Sequence, residues 1–346
     1  MLKRIALEEI EKPSYKEYNS VIIKDATQEG ITIEKVKQSI LNNFSSLNRP
    51  VGIEKELVKE VEGFFNTGFY IKTSQNSDIK KPIILDYMAN EQNDTLIDYN
   101  IIEAEANSKV TIVFDYNSGV KGFHNGITKL IAKEGSTVNV VKIQRLGDEF
   151  NDFDSCLVVV GKNATINWSN VVIGSKISAF DVAVYLEQGG GTFTSKSIFL
   201  GVDSQKYDMA YKVYHQAPKT TSSVDLKGAL KGSAKATFIG NIDIKKGAKK
   251  AKAEENETVL LLDKTVRSIA IPALYCAEDD VQANHSASAG QIDEDKLYYV
   301  MSRGFSLEEA RLLMVQAILN PVIDLIPYDP VREIIIKGHI GRRIIK

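Results

Sequence analysis

Strand-like segments recur at a nearly constant spacing in the middle of the chain, and this spacing restricts the fold more than any other feature. The segments are short, rich in β-branched and aromatic residues, and separated by Gly, Asn, Asp and Ser. One series of apolar positions recurs with separations of 28, 28 and 27, at Val110, Val138, Ile166 and Phe193. A second series recurs every 27 residues, at Leu130, Leu157, Val184, Tyr211 and Phe238. The two series interleave, so each period holds two strands.

A period of about 20–50 residues is typical of solenoids, in which each repeat stacks on the next. Two strands with their turns in 27 residues fit one coil of a β-helix, whose inward side chains form a continuous core. A β-sandwich with evenly spaced strands is the alternative. The regular spacing favours the solenoid, and we predict a mainly β fold with a β-helix core over residues 69–290.

Helices are predicted on the N-terminal side of this core, in residues 1–68. Apolar residues at helical spacing indicate one helix that opens at Thr32 and a second that ends before Gly68. The first helix carries Ile33, Val36, Ile40, Leu41 and Phe44. The second carries Ile53, Leu57, Val58, Val61 and Phe64. We expect both helices to cap or flank the β-helix.

A second helical region is predicted in residues 291–346. Asp293 is a predicted N-cap for one helix, and Ser306 opens the capping box of another. Pro321 is the predicted end of the second helix, because proline cannot continue the hydrogen-bond pattern. Residues 331–346 are interpreted as a strand or a basic tail.

The charge and composition exclude several classes of protein. The 346-residue chain has a net charge of -2, which argues against a nucleic-acid binder with a basic footprint. No apolar run reaches the ~18 residues that a membrane span needs, and the N-terminal stretch lacks the apolar core of a signal peptide. Two cysteines, Cys156 and Cys276, are too few for a disulfide framework. We therefore expect a cytoplasmic protein with neither a membrane nor a nucleic-acid partner.

The residues that could carry chemistry form no local motif. The histidines and cysteines lack the His-x-x-x-His or Cys-x-x-Cys spacing of a zinc site, and there is no P-loop of an ATPase. His285 is the strongest single candidate, beside the weaker candidates Glu257, Cys276 and Glu278. A carboxylate, an imidazole and a thiolate from neighbouring strands could together hold iron. The alternative is that His285 is a hydrogen-bonded strand residue and Glu257 a solvated acid.

The segment around His285 resembles the C-terminal signature of the SufB/SufD family, the scaffold components of the SUF iron–sulfur cluster assembly system. The matching residues are Ile271-Pro272-Ala273-Leu274, Glu278-Asp279-Asp280-Val281, His285, Gly290-Gln291-Ile292-Asp293-Glu294, Leu297-Tyr298-Tyr299 and Ser302-Arg303-Gly304. Weaker similarity extends back to Thr67-Gly68-Phe69-Tyr70-Ile71 and Lys81-Pro82-Ile83. The resemblance therefore covers residues 60–320.

This resemblance implies a right-handed parallel β-helix flanked by α-helical parts, in agreement with the spacing of the strands. It implies a homodimer, or a heterodimer with a SufB/SufD paralogue, formed through the β-helix. A cysteine desulfurase or a sulfur carrier is the expected source of sulfur. The C-terminal helices of the family bind the ABC-type ATPase SufC, and the expected contact residues here are Leu297, Tyr298, Met301, Phe305, Leu312 and Met314.

The resemblance also points to a site. His285 falls on the family histidine that is proposed to take part in cluster building at the dimer interface. Glu257 stands where SufB proteins carry their proposed essential cysteine, whereas Cys276 matches a cysteine that SufB proteins have. We therefore predict a transiently bound iron–sulfur cluster, with His285, Glu257 and Cys276 as its ligands.

Three functions are compatible with these observations. The first is a non-catalytic scaffold that works with a SufC-like ATPase. The second is a SufD-like structural partner of a cluster-carrying paralogue, which the glutamate at position 257 favours. The third is a β-helix enzyme that acts on polysaccharides through clustered acids, which the absence of an export signal argues against.

Overall fold

The computed structural model describes residues 10, 16–44, 49–327 and 329–345. Two nine-stranded sheets face each other, and the chain alternates between them to form a parallel β-solenoid. The first sheet contains β1 (Val21–Lys24), β4 (Ile83–Ala89), β6 (Lys109–Ser118), β8 (Thr137–Arg145), β10 (Thr165–Val172), β12 (Thr192–Gly201), β14 (Thr221–Leu230), β16 (Lys252–Leu261) and β18 (Gln282–Gln291). The second contains β2 (Ile31–Lys35), β3 (Phe69–Thr73), β5 (Thr95–Ala104), β7 (Gly122–Ala132), β9 (Phe150–Val160), β11 (Ile177–Leu186), β13 (Lys206–His215), β15 (Lys235–Ile244) and β17 (Arg267–Cys276). The predicted solenoid is thus confirmed.

The pairing register supports one of the two predicted series and corrects the other. Neighbouring strands of the first sheet pair at Val110, Val138, Ile166 and Phe193. In the second sheet, Leu130 lies opposite Val158 rather than Leu157. The paired positions are instead Leu130, Val158, Val184 and Val213, with separations of 28, 26 and 29. The constant step of 27 was therefore wrong in register, because the coils differ in length.

The core lies inside the solenoid, where inward side chains from both sheets stack from coil to coil. Its largest members are almost fully buried rings, among them Phe114, Trp168, Phe193, Phe199 and Tyr211. Burying a large apolar side chain is worth ~1.5–3 kcal/mol. These rings belong to one cluster that runs through successive coils, so each coil is stabilised by its neighbours.

The N-terminal part contains α1 (Gln38–Asn43) and α2 (Lys55–Gly63). The second predicted helix is confirmed as α2, which buries Leu57 and Val61 against the outer face of the second sheet. The prediction of a helix from Thr32 is wrong at its start, because Ile31–Lys35 forms β2 and pairs antiparallel with β3. The start of the predicted N-terminal region, residues 1–9 and 11–15, lies outside the described residues.

The C-terminal part contains α3 (Glu294–Met301), α4 (Leu307–Ile323), α5 (Asp329–Glu333), a π-helix (Ile334–Gly341) and α6 (Arg342–Ile345). Both predicted caps are confirmed: Asp293 accepts two backbone N–H bonds, and Ser306 forms the capping box with Glu309. Among the described helices, none is long and apolar enough to cross a membrane. The division of the chain at 68/69 and 290/291 stays a prediction.

Two predictions for this region were wrong. Pro321 lies inside α4, which continues for two more residues to Ile323, because a proline removes only one backbone hydrogen bond and the buried neighbours Leu319, Val322 and Ile323 hold the last turn against the sheet. The stretch from Val331 is helical and not a strand or tail. Its isoleucines, with those of α4, bury against the outer face of the first sheet. Packing against the sheet thus overrides the preference of β-branched residues for strands.

Candidate functional site

The last coil, β17 and β18, leaves the end of the solenoid open. These strands are the final members of the second and first sheets, and no described element covers their free edges. The residues of both strands are exposed or half-buried, in contrast to the buried positions of earlier coils. Inward-facing groups that earlier coils would enclose are therefore accessible here.

Two carboxyl groups point into the solenoid just inside this opening. Glu255 and Glu257 lie on β16 and are each 3% exposed. They share the inward face with Ala253 and Val259, because side chains alternate along a strand. Glu255 reaches toward the opposite sheet, where a Cβ at Gly240 would lie 1.6 Å from its Oε1. A glycine in the interior of β15 thus makes room for this carboxyl group.

Burial changes the protonation of both carboxyl groups. Loss of solvent raises the pKa of Glu255 to about 7, and the negative charge of Glu257 adds to the effect. Burial alone raises the pKa of Glu257 to about 7. Within the described part of the chain, Glu257 Oε1 has no hydrogen-bond partner. At neutral pH each group therefore exchanges readily between the acid and the carboxylate.

His285 lies beside these carboxyl groups on the last strand. It is opposite Glu255 in the pairing of β16 with β18, and Glu257 is opposite Ala287, two residues further along. His285 therefore shares the inward face with both glutamates, and its side chain is exposed at the opening. The short side chain of Ala287 leaves space above Glu257. Two carboxylates and an imidazole thus line one side of the open end.

Cys276 and Glu278 occupy a different position, on the corner that joins β17 to β18. The Cys276 thiol is free and exposed, and it donates to the Glu278 carbonyl oxygen at 3.1 Å. The Glu278 carboxylate accepts the backbone N–H of Gly247 at 2.9 Å, which lowers its pKa. Glu278 therefore stabilises the corner. The structure brings Glu257 and His285 onto neighbouring strands, but it places Cys276 on the opposite sheet.

No group of three or more His, Cys, Asp or Glu side chains is arranged to hold a metal ion in the described ranges. The ligand roles of His285, Glu257 and Cys276 therefore stay predictions. Glu255 was missed, although the alternation of Ala253, Glu255 and Glu257 places all three on one face. This alternation along the sequence could have identified Glu255 as a neighbour of Glu257 on the inward face.

A second buried polar cluster lies deeper in the solenoid and was also missed. His124 is fully buried between two carboxylates, with Nε2 3.0 Å from Asp98 Oδ1 and Nδ1 2.6 Å from Asp152 Oδ1. Burial by itself lowers the pKa of His124, but the hydrogen bonds to Asp152 and Asp98 raise it to about 10. The sequence holds a signal for this contact, because His124 and Asp152 are one coil apart and pair in register.

The predicted ATPase-binding residues differ in exposure. Tyr298 is 75% exposed, and Met301 and Phe305 are also exposed around the end of α3. The remaining three are half-buried: Leu297, Leu312 and Met314. Leu312 packs against the C-terminal apolar cluster and is less available to a partner. Two exposed apolar residues of this surface were missed, Tyr299 and Leu313.

Comparison with known proteins identifies the family. A family model described as "SUF system FeS cluster assembly, SufBD core domain" matches residues 87–318. The chain belongs to this SufB/SufD family. It is 31% identical over 276 residues to the iron–sulfur cluster assembly protein SufD of Bacillus subtilis, a match that covers 78% of this chain and 62% of that protein.

Other family members match in the same way. SufB of Bacillus subtilis is 25% identical over 291 residues, which cover 83% of this chain and 60% of that protein. The SufBD family protein ML0593 of Mycobacterium leprae is 24% identical over 287 residues, 82% of this chain and 33% of that protein. The chain thus spans less than two thirds of the length of these relatives. The family model and these relatives are all described by their role in iron–sulfur cluster assembly.

Proposed function

We propose that the chain is a non-catalytic scaffold on which an iron–sulfur cluster is assembled at the open end of the solenoid. The observation that carries this proposal is the pairing of His285 with Glu255, next to the unpartnered Glu257. All three groups face inward at the open end, with the buried Glu255 and Glu257 on β16 and the exposed His285 on β18. Family membership supplies the cargo, iron and sulfide, and the geometry supplies a place where iron would first bind.

The donor groups suit transient binding. Carboxylate oxygen is a harder ligand than thiolate, and imidazole binds iron in its neutral form. A carboxyl group with a pKa of about 7 loses its proton easily when a cation arrives. Such a site would hold iron less firmly than a set of thiolates, and a scaffold has to release its product. Cys276, exposed on the opposite sheet, is the proposed third ligand and the only thiolate of the set.

A second chain would complete the site. Within the described residues, no three His, Cys, Asp or Glu side chains of one chain are arranged closely enough to hold a metal ion by themselves. The same groups lie at an open end, so a partner that abuts this end would add its own donors. We propose that the partner is a second copy or a SufB/SufD paralogue. A SufC-like ATPase bound to the C-terminal helices would then open and close the shared site, with sulfur from a cysteine desulfurase or a sulfur carrier.

Anaerobic reconstitution with iron and sulfide tests the ligand roles. We expect His285→Ala and Glu257→Ala to lower iron affinity on the order of tenfold or more, since even changes around a metal ligand have effects of this size. The change should appear in bound iron, bound sulfide and the visible absorption spectrum. Glu254→Ala is the matched control, because Glu254 lies on the same strand but faces outward.

The variants also discriminate between the ligands. If His285→Ala and Glu257→Ala keep the iron content and spectrum of the unmodified protein, their ligand roles are wrong. If Cys276→Ala alone loses the cluster, the site lies around the β17–β18 corner instead.

A SufD-like structural role is the second candidate. It is favoured by the glutamate at position 257, where the resemblance places a SufB cysteine, and by the 31% identity to SufD against 25% to SufB. In that case the chain alone would not retain a cluster, but a complex with a cysteine-bearing paralogue would. Reconstitution of the chain with and without such a paralogue separates the two candidates.

A further inference from the structure

One corner of the solenoid repeats the same unusual backbone conformation in successive coils. At the turns from the second sheet to the first that lead into β4 to β16, an equivalent residue has a positive φ in the left-handed region: Asn76, Asn107, Gly135, Asn163, Gly190, Lys219 and Lys250. The turn before β16 has a second such residue, Gly247. The backbone N–H of each of the equivalent residues donates to a carbonyl oxygen of the next coil. For example, the Lys219 N–H donates to the Lys249 carbonyl oxygen at 2.8 Å. The early coils use asparagine and glycine, which tolerate this conformation best.

The last two positions break this rule. Lys219 has a φ of 59° and Lys250 a φ of 61°. Unlike asparagine, lysine has no short polar side chain that can hydrogen-bond to the nearby backbone and so offset the cost of the left-handed conformation. The two lysines belong to successive coils, which lie about 4.8 Å apart, so their positive charges also repel each other. Both choices cost stability relative to the asparagine of earlier coils. A strained residue that persists points to a function at that place.

Lys219 and Lys250 form a cationic surface with two neighbours, Lys249 and Lys252. We call these four residues the lysine corner. All four side chains are exposed, and none has an acidic partner among the residues that the structure describes. Acids are nearby, because Lys245 pairs with Asp243 at 2.6 Å. The positive charges of the lysine corner are thus not neutralised by a neighbouring acid in the described part of the chain, whereas the charge of the nearby Lys245 is.

The surroundings of the lysine corner indicate the kind of partner. Exposed acids interrupt the basic surface on both sides, at Glu254 and Asp279. The whole chain carries a net charge of -2. A nucleic acid needs a continuous basic stripe along its backbone, and this surface is too short and too mixed. We propose that the lysine corner is a docking surface for an acidic segment of a partner protein.

The place of this surface in the fold is consistent with such a role. Lys250 donates its N–H to the Asp280 carbonyl oxygen, so the lysine corner adjoins the final corner of the solenoid. A partner bound there lies beside the open end without covering it. The proposal goes beyond the cluster-assembly function and uses none of its proposed ligands.

Replacing the strained lysines by the residue of earlier coils tests the proposal. The probe is a fluorescein-labelled peptide of alternating glutamate and glycine, measured by fluorescence anisotropy at low and at physiological salt. We expect Lys219→Asn with Lys250→Asn to weaken binding on the order of threefold to tenfold, the range for two exposed ion pairs. The melting temperature should stay the same or rise, because strain and repulsion are both removed.

Two further variants complete the test. Lys249→Gln with Lys252→Gln leaves the left-handed residues untouched and should also weaken binding. Lys206→Gln with Lys235→Gln is the matched control, because these exposed lysines stack in register at the opposite corner. Unchanged binding by Lys219→Asn with Lys250→Asn, or a lower melting temperature, would overturn the proposal. A double-stranded oligonucleotide that binds more tightly than the acidic peptide would overturn it in favour of nucleic acid.

Discussion

The protonation of His124 is set by its position in the folded structure. It lies between Asp98 and Asp152 inside the solenoid, and its ring packs 4.5 Å from that of Tyr116. A buried imidazole without charged partners is neutral, as His215 is: its ring nitrogens contact only the hydroxyls of Thr220 and Ser222, and burial lowers its pKa to about 4. The two carboxylates instead keep His124 charged. One histidine is thus an internal cation and another a neutral hydrogen-bonded group, and only their neighbours differ.

This difference predicts a dependence of stability on pH. The pKa of His124 is raised from 6.5 to about 10 on folding, so its contribution is complete below pH 6.5 and is lost as the pH rises through 10. In that window each pH unit should remove up to about 1.4 kcal/mol of unfolding free energy. Urea unfolding of the unmodified protein and of His124→Gln measures this, and the variant should lack this part of the slope. Nitrogen NMR that shows a neutral His124 at pH 8 would contradict the prediction.

At the scale of the element, α3 and the turn that follows it form an apolar surface at the edge of the molecule. The caps at Asp293 and Ser306 fix where the two helices begin. The inward residues of α4 pack on the first sheet, whereas α3 buries no residue. Exposed aromatic and methionine side chains on such an element are typical of interfaces.

The exposed apolar surface of α3 and the turn that follows it is therefore the predicted contact for a SufC-like ATPase. We expect Met301→Glu with Phe305→Glu to weaken binding of the ATPase on the order of tenfold or more, as for anchors of an interface. Copurification measures binding, and circular dichroism should show an unchanged β-sheet signal. Leu325→Glu with Ile334→Glu is the control, because both residues are exposed apolar positions elsewhere in the C-terminal part. Unchanged copurification of the α3 variant would rule out this surface.

At the scale of the whole molecule, the two ends of the described solenoid differ: the first coils are closed and the last coil is open. Helices cover part of the outer face of each sheet, and antiparallel strands close the first coils. Of the two open strands, β17 contains Pro272, which lacks the N–H that an added strand would need. β18 has no proline and carries mostly small side chains. An unpaired strand of this kind is prone to pair with another chain.

We therefore predict an end-to-end dimer that forms through β18. Sedimentation at micromolar concentration should give twice the chain mass of 38.3 kDa. Ser286→Lys with Ser288→Lys should give a monomer, because lysines on an edge strand oppose pairing. Asn256→Lys with Thr258→Lys, at the paired positions one coil inside, should leave the dimer intact. A monomeric unmodified protein, with no paralogue that binds it, would count against the prediction.

The sequence by itself determined the features that depend on neighbouring residues. The two-strand period, the caps at Asp293 and Ser306, and helix α2 follow from alternation, side-chain hydrogen bonds and apolar spacing within a few positions. The family signature around His285 is also local. These patterns predict the type of each element and the class of the fold, because they need no knowledge of what lies across the molecule.

The tertiary structure decided which distant residues meet. The register that sets Glu255 beside His285 depends on coil lengths, which vary from 26 to 32 residues within the second sheet. The helical form of residues 331–345 depends on packing against the first sheet. The charge on His124 depends on carboxylates from two other coils. Each outcome rests on contacts between segments far apart in the chain, whose energies a local pattern does not contain.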